Sequence, residues 1–294
     1  MSNRGMSQLG YATITLLLIV LMALVALLMP TRLGLRWWIW AWIINLVLMF
    51  LVMGTIGLSI KAESGWWAIF VDNRNMVSLS RFQIVLWTLV VLSAFWTIAL
   101  ARTGDSTGNP RAYVCESPAL EGKKASCAAP ADLQLPATLW ALMGISVTSA
   151  VASSLIKENK AQRTAADGGQ NRYAASLQQT LRGMPLAGEF ENRGAVVTRK
   201  SGKKPKFSDM FKGEDPKGLI YIDIAKVQNF FFTVVAVAVY AVALGAALVG
   251  AKSIASLFQF PDISEGLLGI LGISHAGYLV NKATVTSAPP PPDQ

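Results

Sequence analysis

The chain has 294 residues, of which 53% are hydrophobic and 15% charged, with a mean hydropathy of +0.44 and a formal net charge of +9. A soluble domain carries about a quarter charged residues, so this chain has too little polar surface to stay in water. Its apolar residues come in membrane-length blocks, which excludes a disordered chain, a collagen and a disulfide-rich secreted scaffold, and leaves an all-α, polytopic integral membrane protein.

A helix needs about 20 mostly apolar residues to cross about 30 Å of hydrocarbon. Residues 13–29 form the first such run, between Tyr11 and Pro30-Thr31-Arg32. Only Arg4 precedes it and no small-x-small site follows, so it reads as an uncleaved anchor and not a signal peptide. Residues 37–60 are the second run, opened by Trp37, Trp38, Trp40 and Trp42, and residues 82–101 are the third. The fourth, 135–156, is diluted by Ser and Thr; the fifth, 227–250, is strongly apolar; the sixth, 263–280, is short and broken by Gly266, Gly269, Gly272 and Gly277. Six transmembrane helices are therefore expected.

Positive loops are retained in the cytoplasm. With six spans, the 26 Lys and Arg residues divide 19 to 7, which puts both termini and the long insert 158–223 in the cytoplasm of a cell (inner or plasma) membrane. Both cysteines, Cys115 and Cys127, then fall in one outer loop, where a disulfide is expected. In the chain-entropy model it stabilises that loop by at most about 3 kcal/mol.

The third and fifth spans open alike. Arg81-Phe82-Gln83 aligns with Lys226-Val227-Gln228, and Thr88 with Thr233, at an offset of 145; Ser78 and Asp223 stand three residues earlier, where N-caps are useful. Leu135-Pro136 matches Phe260-Pro261, Leu142-Met143-Gly144-Ile145 matches Leu267-Leu268-Gly269-Ile270, and Lys157 matches Lys282, all at an offset of 125. Spans three to four and five to six thus read as two parallel helical-hairpin repeats. The chain divides into an N-terminal helix pair (1–61), an interfacial segment (62–80), a first hairpin with the outer loop (81–157), a basic and partly disordered insert (158–223), a second hairpin (224–282) and a Pro-rich tail (283–294).

Gly- or Pro-interrupted spans at matching places in two halves point to a transport site. Gly144, Gly269 and Gly272 fit that description, although small residues also let helices pack closely. His275, the one histidine, lies inside the sixth span, and intramembrane ionisable groups are functional candidates. Gln83 and Gln228 complete the candidate set for permeation or gating. Such a path requires a homo-oligomer, because six slender helices hardly enclose a pore.

The insert carries the run Arg199, Lys200, Lys203, Lys204 and Lys206, suited to anionic lipid headgroups or to topology retention. Tyr173, Leu177 and Leu181 recur at helical spacing and end at Gly183; Phe207 to Phe211 offers a contact for a cytoplasmic protein partner. Trp66 and Trp67 mark an interfacial segment. No catalytic residue is expected: one His and two remote Cys make no zinc site, a triad would need His275 inside the bilayer, and Gly194 to Ser201 puts Arg199 where a phosphate loop needs glycine. No cofactor, metal or nucleic-acid partner is expected. Two functions remain: an oligomeric channel- or transporter-like permeation component, or a non-conducting membrane anchor, sensor or assembly scaffold acting through the basic insert.

Overall fold

A computed structural model describes residues 7–33, 37–105, 114–115, 127–128, 133–166, 170–186, 188–251 and 259–284. Its helices are α1 (Gln8–Leu33), α2 (Trp38–Ile60), α3 (Leu79–Trp87), α4 (Ser93–Asp105), α5 (Ala137–Ala166), α6 (Gln170–Leu181), α7 (Ile224–Gly250) and α8 (Glu265–Thr284). A π-helical turn, Thr88–Leu92, joins α3 to α4 into one long helix. Four short strands, β1 (Val114–Cys115), β2 (Cys127–Ala128), β3 (Phe190–Arg193) and β4 (Val196–Arg199), make two antiparallel pairs.

Among the described residues, five helices are long and apolar enough to cross a membrane: α1, α2, the joined α3–α4, α5 and α7. They correspond to the first five expected spans, α2 starting one residue and α5 two residues later than the apolar runs. Helix α8 occupies the sixth position, but its glycines and its polar Ser274, His275 and Asn281 keep it outside that set. Helices also outrun the apolar blocks. Helix α1 continues through Pro30, which forgoes one backbone hydrogen bond, and α5 runs about three turns past Ile156.

The chain divides into two compact units: Met1–Ile60, Leu86–Ala141 and Val235–Glu265 in one, Lys61–Val85, Leu142–Val234 and Gly266–Gln294 in the other. In the first unit α1 packs on α2 and α4, and polar side chains join the helices. Trp42 Nε1 donates to Ser93 Oγ at 3.0 Å, and Asn45 Nδ2 donates to Thr97 Oγ1 at 2.9 Å, both pairs buried. Such bonds are worth about 0.6–2 kcal/mol in a bilayer. Gln134 bridges Gln259 in parallel, and Phe260 N–H donates to the Gln134 carbonyl at 3.0 Å. Asp262 accepts a hydrogen bond from Thr138 Oγ1.

The second unit holds the insert, and here composition understates the order. Met76, Leu177, Leu181, Phe190, Val197 and Leu219 form a buried core. These few residues suffice because they come from several segments at once: α6, the β3–β4 hairpin, and a tight turn closed by the Val71–Val77 bridge. Asn75 takes a positive φ of 54° in that turn, a conformation Asn tolerates better than most residues. Its Nδ2 donates to the carbonyls of Lys200 at 3.2 Å and Lys203 at 2.9 Å. Before the turn, Ala62–Phe70 is a 3-10 stretch with Gly65 at φ 60° and with Trp66 and Trp67 half exposed. The expected short helix at Tyr173, Leu177 and Leu181 is α6, and these three residues face inward.

A buried charge cluster as the candidate functional site

Six ionisable side chains are buried together in the second unit: Asp72, Arg74, Lys157, Glu214, Lys226 and Lys282. They come from the Val71–Val77 turn, the tenth-to-last residue of α5, the loop after β4, the first turn of α7 and the last turn of α8. An Asx turn sets the first pair, because Asp72 Oδ1 accepts from Arg74 N–H at 2.9 Å. Asp72 Oδ2 then accepts from Arg74 Nε and from Lys157 Nζ, each at 2.9 Å.

Glu214 is the second centre. Its Oε1 accepts a hydrogen bond from Lys282 Nζ and lies 3.8 Å from Lys226 Nζ and 4.0 Å from Arg74 Nη2. Lys282 also donates to Ser153 Oγ at 2.6 Å and Tyr278 OH at 3.0 Å, using all three of its protons. Lys226 donates to the Lys212 carbonyl at 2.6 Å. Its turn is capped as the sequence suggested, since Asp223 Oδ1 accepts from Lys226 N–H at 3.3 Å.

Four cations thus face two carboxylates. Burial opposes ionisation of Asp72, but Arg74 and Lys157 beside it outweigh this and hold its carboxyl well below the usual range. The same contest at Glu214 is decided by Lys282, Lys226, Arg74 and Lys157, and its pKa also falls well below the usual value. Arg74 stays firmly protonated despite its burial, because Asp72 and Glu214 flank it. Asp215 differs: burial, reinforced by neighbouring Glu214, lifts its pKa to about 6 against the pull of Lys160 and Lys226. All of this makes the cluster a strong joint, since breaking one partner out of a buried ion pair costs about 3–5 kcal/mol.

The residues singled out from sequence are scattered relative to this cluster. Gln83 is buried and its Nε2 donates to Thr233 Oγ1 at 2.7 Å, so one half of the expected Gln–Thr repeat is spent on helix contact. Gln228 instead lines an open groove of about 430 Å³ with Phe232, Ile270, Ser274 and Gly277. His275 is buried, and its Nδ1 has no hydrogen-bond partner among the described residues. A Cβ at Gly144 or Gly269 would meet nothing within 4 Å, and one at Gly272 would meet only Ile145 Cδ1 at 3.8 Å. The backbones of Cys115 and Cys127 pair in register across β1 and β2; their side chains lie outside the described residues, as does most of the tail 283–294.

The basic run separates into two kinds of residue. Arg199 is buried, with Nε and Nη2 donating to Asp209 at 3.2 Å and 2.6 Å, Nη1 paired with Glu189, and its guanidinium 4.6 Å over the Phe190 ring. It is an internal strut of the insert. Lys203, Lys204 and Lys206 are exposed, Lys206 pairing with Glu189 at 3.2 Å, and Lys200 is half-buried. Phe207 and Phe211 are held in an aromatic group with Trp67 and Phe230.

Sequence reasoning missed the cluster as a cluster. Lys157 and Lys282 match each other in the repeat and Lys226 matches Arg81, but nothing local marks Asp72 or Glu214 as partners of these lysines. Comparison of the chain with protein-family models, with curated proteins and with solved structures finds no match.

Proposed function

We propose that this is a membrane-embedded, non-conducting sensor or assembly scaffold that works through its folded cytoplasmic insert. One observation carries the reading: Asp72 and Glu214, both from extramembrane segments, hold Lys157, Lys226 and Lys282 of α5, α7 and α8 in a single buried cluster. A change at the insert therefore acts directly on three helices. The interhelical pairing of Gln83 with Thr233 and of Asn45 with Thr97 supports the reading, because these polar groups serve contact. The parallel contacts at an offset of 125, Gln134 with Gln259 and Ser153 Oγ with Tyr278 OH at 3.3 Å, support the two-hairpin repeat.

The experiment is reconstitution in planar bilayers together with limited proteolysis. The expected results are no ion or solute flux, and at least ~10-fold faster cleavage within residues 158–223 in Glu214→Gln, the fold-change that ~1.4 kcal/mol of extra local opening produces. Sustained flux by the wild type would overturn the reading.

A second reading, an oligomeric permeation component, rests on Gln228 and the groove it lines with Ser274 and Gly277. On that reading flux is present and changes in Gln228→Leu or His275→Ala.

A further inference from the structure

Beside the charge cluster, within the same unit, lies a cavity of about 110 Å³. At about 30 Å³ per water, it has room for three to four waters or one tetrahedral oxyanion. Its floor is buried and charged, with Lys160, Lys226, Lys282 and Glu214; its rim is polar, with Ser176 and Asn281. Lys282 has spent its protons inside the cluster. Lys226 makes one hydrogen bond, to the Lys212 carbonyl, and its carboxylate neighbours stand off at 3.8 Å and 4.0 Å, so donor capacity remains.

Two acceptors define the ligand further. Glu214 Oε2 and Asp215 Oδ1 are buried atoms without a hydrogen-bond partner among the described residues, and both residues line the cavity. A buried carboxylate oxygen left unpaired is costly. It repels the lone pairs of any fully deprotonated oxyanion but accepts a hydrogen bond from one that keeps a proton. Net positive charge on the floor asks for an anion; the two free carboxylate oxygens ask for a donor on that same anion.

We propose that this cavity is a binding site for a protonated phosphate, as hydrogen phosphate or the monoanion of a phosphomonoester, and that it rejects sulfate. Lys226 and Lys160 supply the charge. Glu214 Oε2 or Asp215 Oδ1 takes the ligand's single O–H, the feature sulfate lacks at neutral pH. The site stands on the cavity and its donors and acceptors, and holds whether or not the helices conduct.

The test is titration of the purified full-length protein in detergent, in buffer free of both anions, by calorimetry and ³¹P NMR. Probes are inorganic phosphate, sulfate, a soluble short-chain phosphatidate, and alanine as a zwitterion of similar size. Phosphate is expected to bind at least ~10-fold more tightly than sulfate, as in sites built to accept a ligand hydroxyl. Lys226→Gln is expected to weaken phosphate at least ~10-fold. Asp215→Asn replaces an acceptor with a donor at a half-exposed position, so it keeps the fold and brings sulfate to within ~3-fold of phosphate. Tighter binding of the phosphatidate identifies a lipid headgroup as the source, and tighter binding of inorganic phosphate a free ion. Equal binding of phosphate and sulfate by the wild type, binding of alanine in their place, or no phosphate binding by ~20 mM overturns the proposal. Flux measurements, which test the functional reading, are unaffected by any of these results.

Discussion

Glu214 and Lys282 stand 68 residues apart in the chain and share a buried hydrogen bond, Lys282 Nζ donating to Glu214 Oε1. The same oxygen neighbours Lys226 and Arg74. Glu214→Gln leaves Lys282 without a carboxylate and takes one of two from Arg74 and from Lys226, so a loss of about 3–5 kcal/mol is expected. Thermal unfolding of the detergent-purified protein checks it: an unchanged midpoint would refute the role given to Glu214.

Asp215 makes stability depend on pH in the direction opposite to most carboxylates. Its folded pKa of about 6 lies above the ordinary 3.8, so the folded state binds more protons than the unfolded state between those values. Stability therefore falls as pH rises through that window. Asp72 and Glu214, whose pKa values are lowered, contribute fully above the ordinary carboxylate range and lose that contribution only as pH falls below it. Asp215→Asn is expected to be more stable than the wild type at pH 7.5 and to show no difference near pH 4. Melting curves at both pH values read the sign.

Arg199 and the lysines that follow it respond differently to substitution. Arg199→Gln strips Asp209, itself buried, of its twin donors and is expected to cost about 3–5 kcal/mol. Lys203→Gln and Lys204→Gln, at exposed positions, are expected within about 0.5 kcal/mol of the wild type. The lysine variants instead reduce the anionic lipid that copurifies with the protein, as mass spectrometry of extracted lipid would show.

Within the membrane, Gln83 and Gln228 are equivalent in the repeat alignment but not in their surroundings. Gln83→Leu removes the bond to Thr233 and is expected to cost about 0.6–2 kcal/mol. Gln228→Leu, facing the groove, is expected to change stability by less than about 0.5 kcal/mol. Denaturation in bicelles compares the two; equal effects would mean that the groove is closed in the intact assembly.

Cys115 and Cys127 face each other in the β1–β2 register, and directly opposed residues of an antiparallel pair lie at a Cα spacing that a disulfide can span. Protein from an oxidising compartment is expected to take up maleimide at these positions only after reduction. Labelling without reductant would remove both the disulfide and the argument that this loop faces outward.

Much of the architecture is legible along the chain because hydrocarbon selects for it locally. A run such as 227–250 must be a helix in lipid, since no other local structure satisfies its backbone there, and it corresponds to α7. Helix α6 was legible from three residues at helical spacing, and the turn of α7 from Asp223. The rest of the insert was not, because apart from Leu177 and Leu181 of α6 its core takes one residue from each of four further segments, and a single residue leaves no periodic trace.

By itself the sequence determined a mostly helical chain with several helices apolar enough for a membrane, the approximate bounds of those helices and an overall excess of positive charge. Solvation of single segments decides those properties, and it depends on residues close together in the chain. Tertiary structure alone decided which charges pair, that Arg199 is an internal strut and not a surface cation, and that Glu214 gathers Lys226, Lys282 and Arg74 around one oxygen. Such pairing is worth its desolvation cost only when the partners arrive at fixed distances, and those distances exist only once helices and insert have folded against one another.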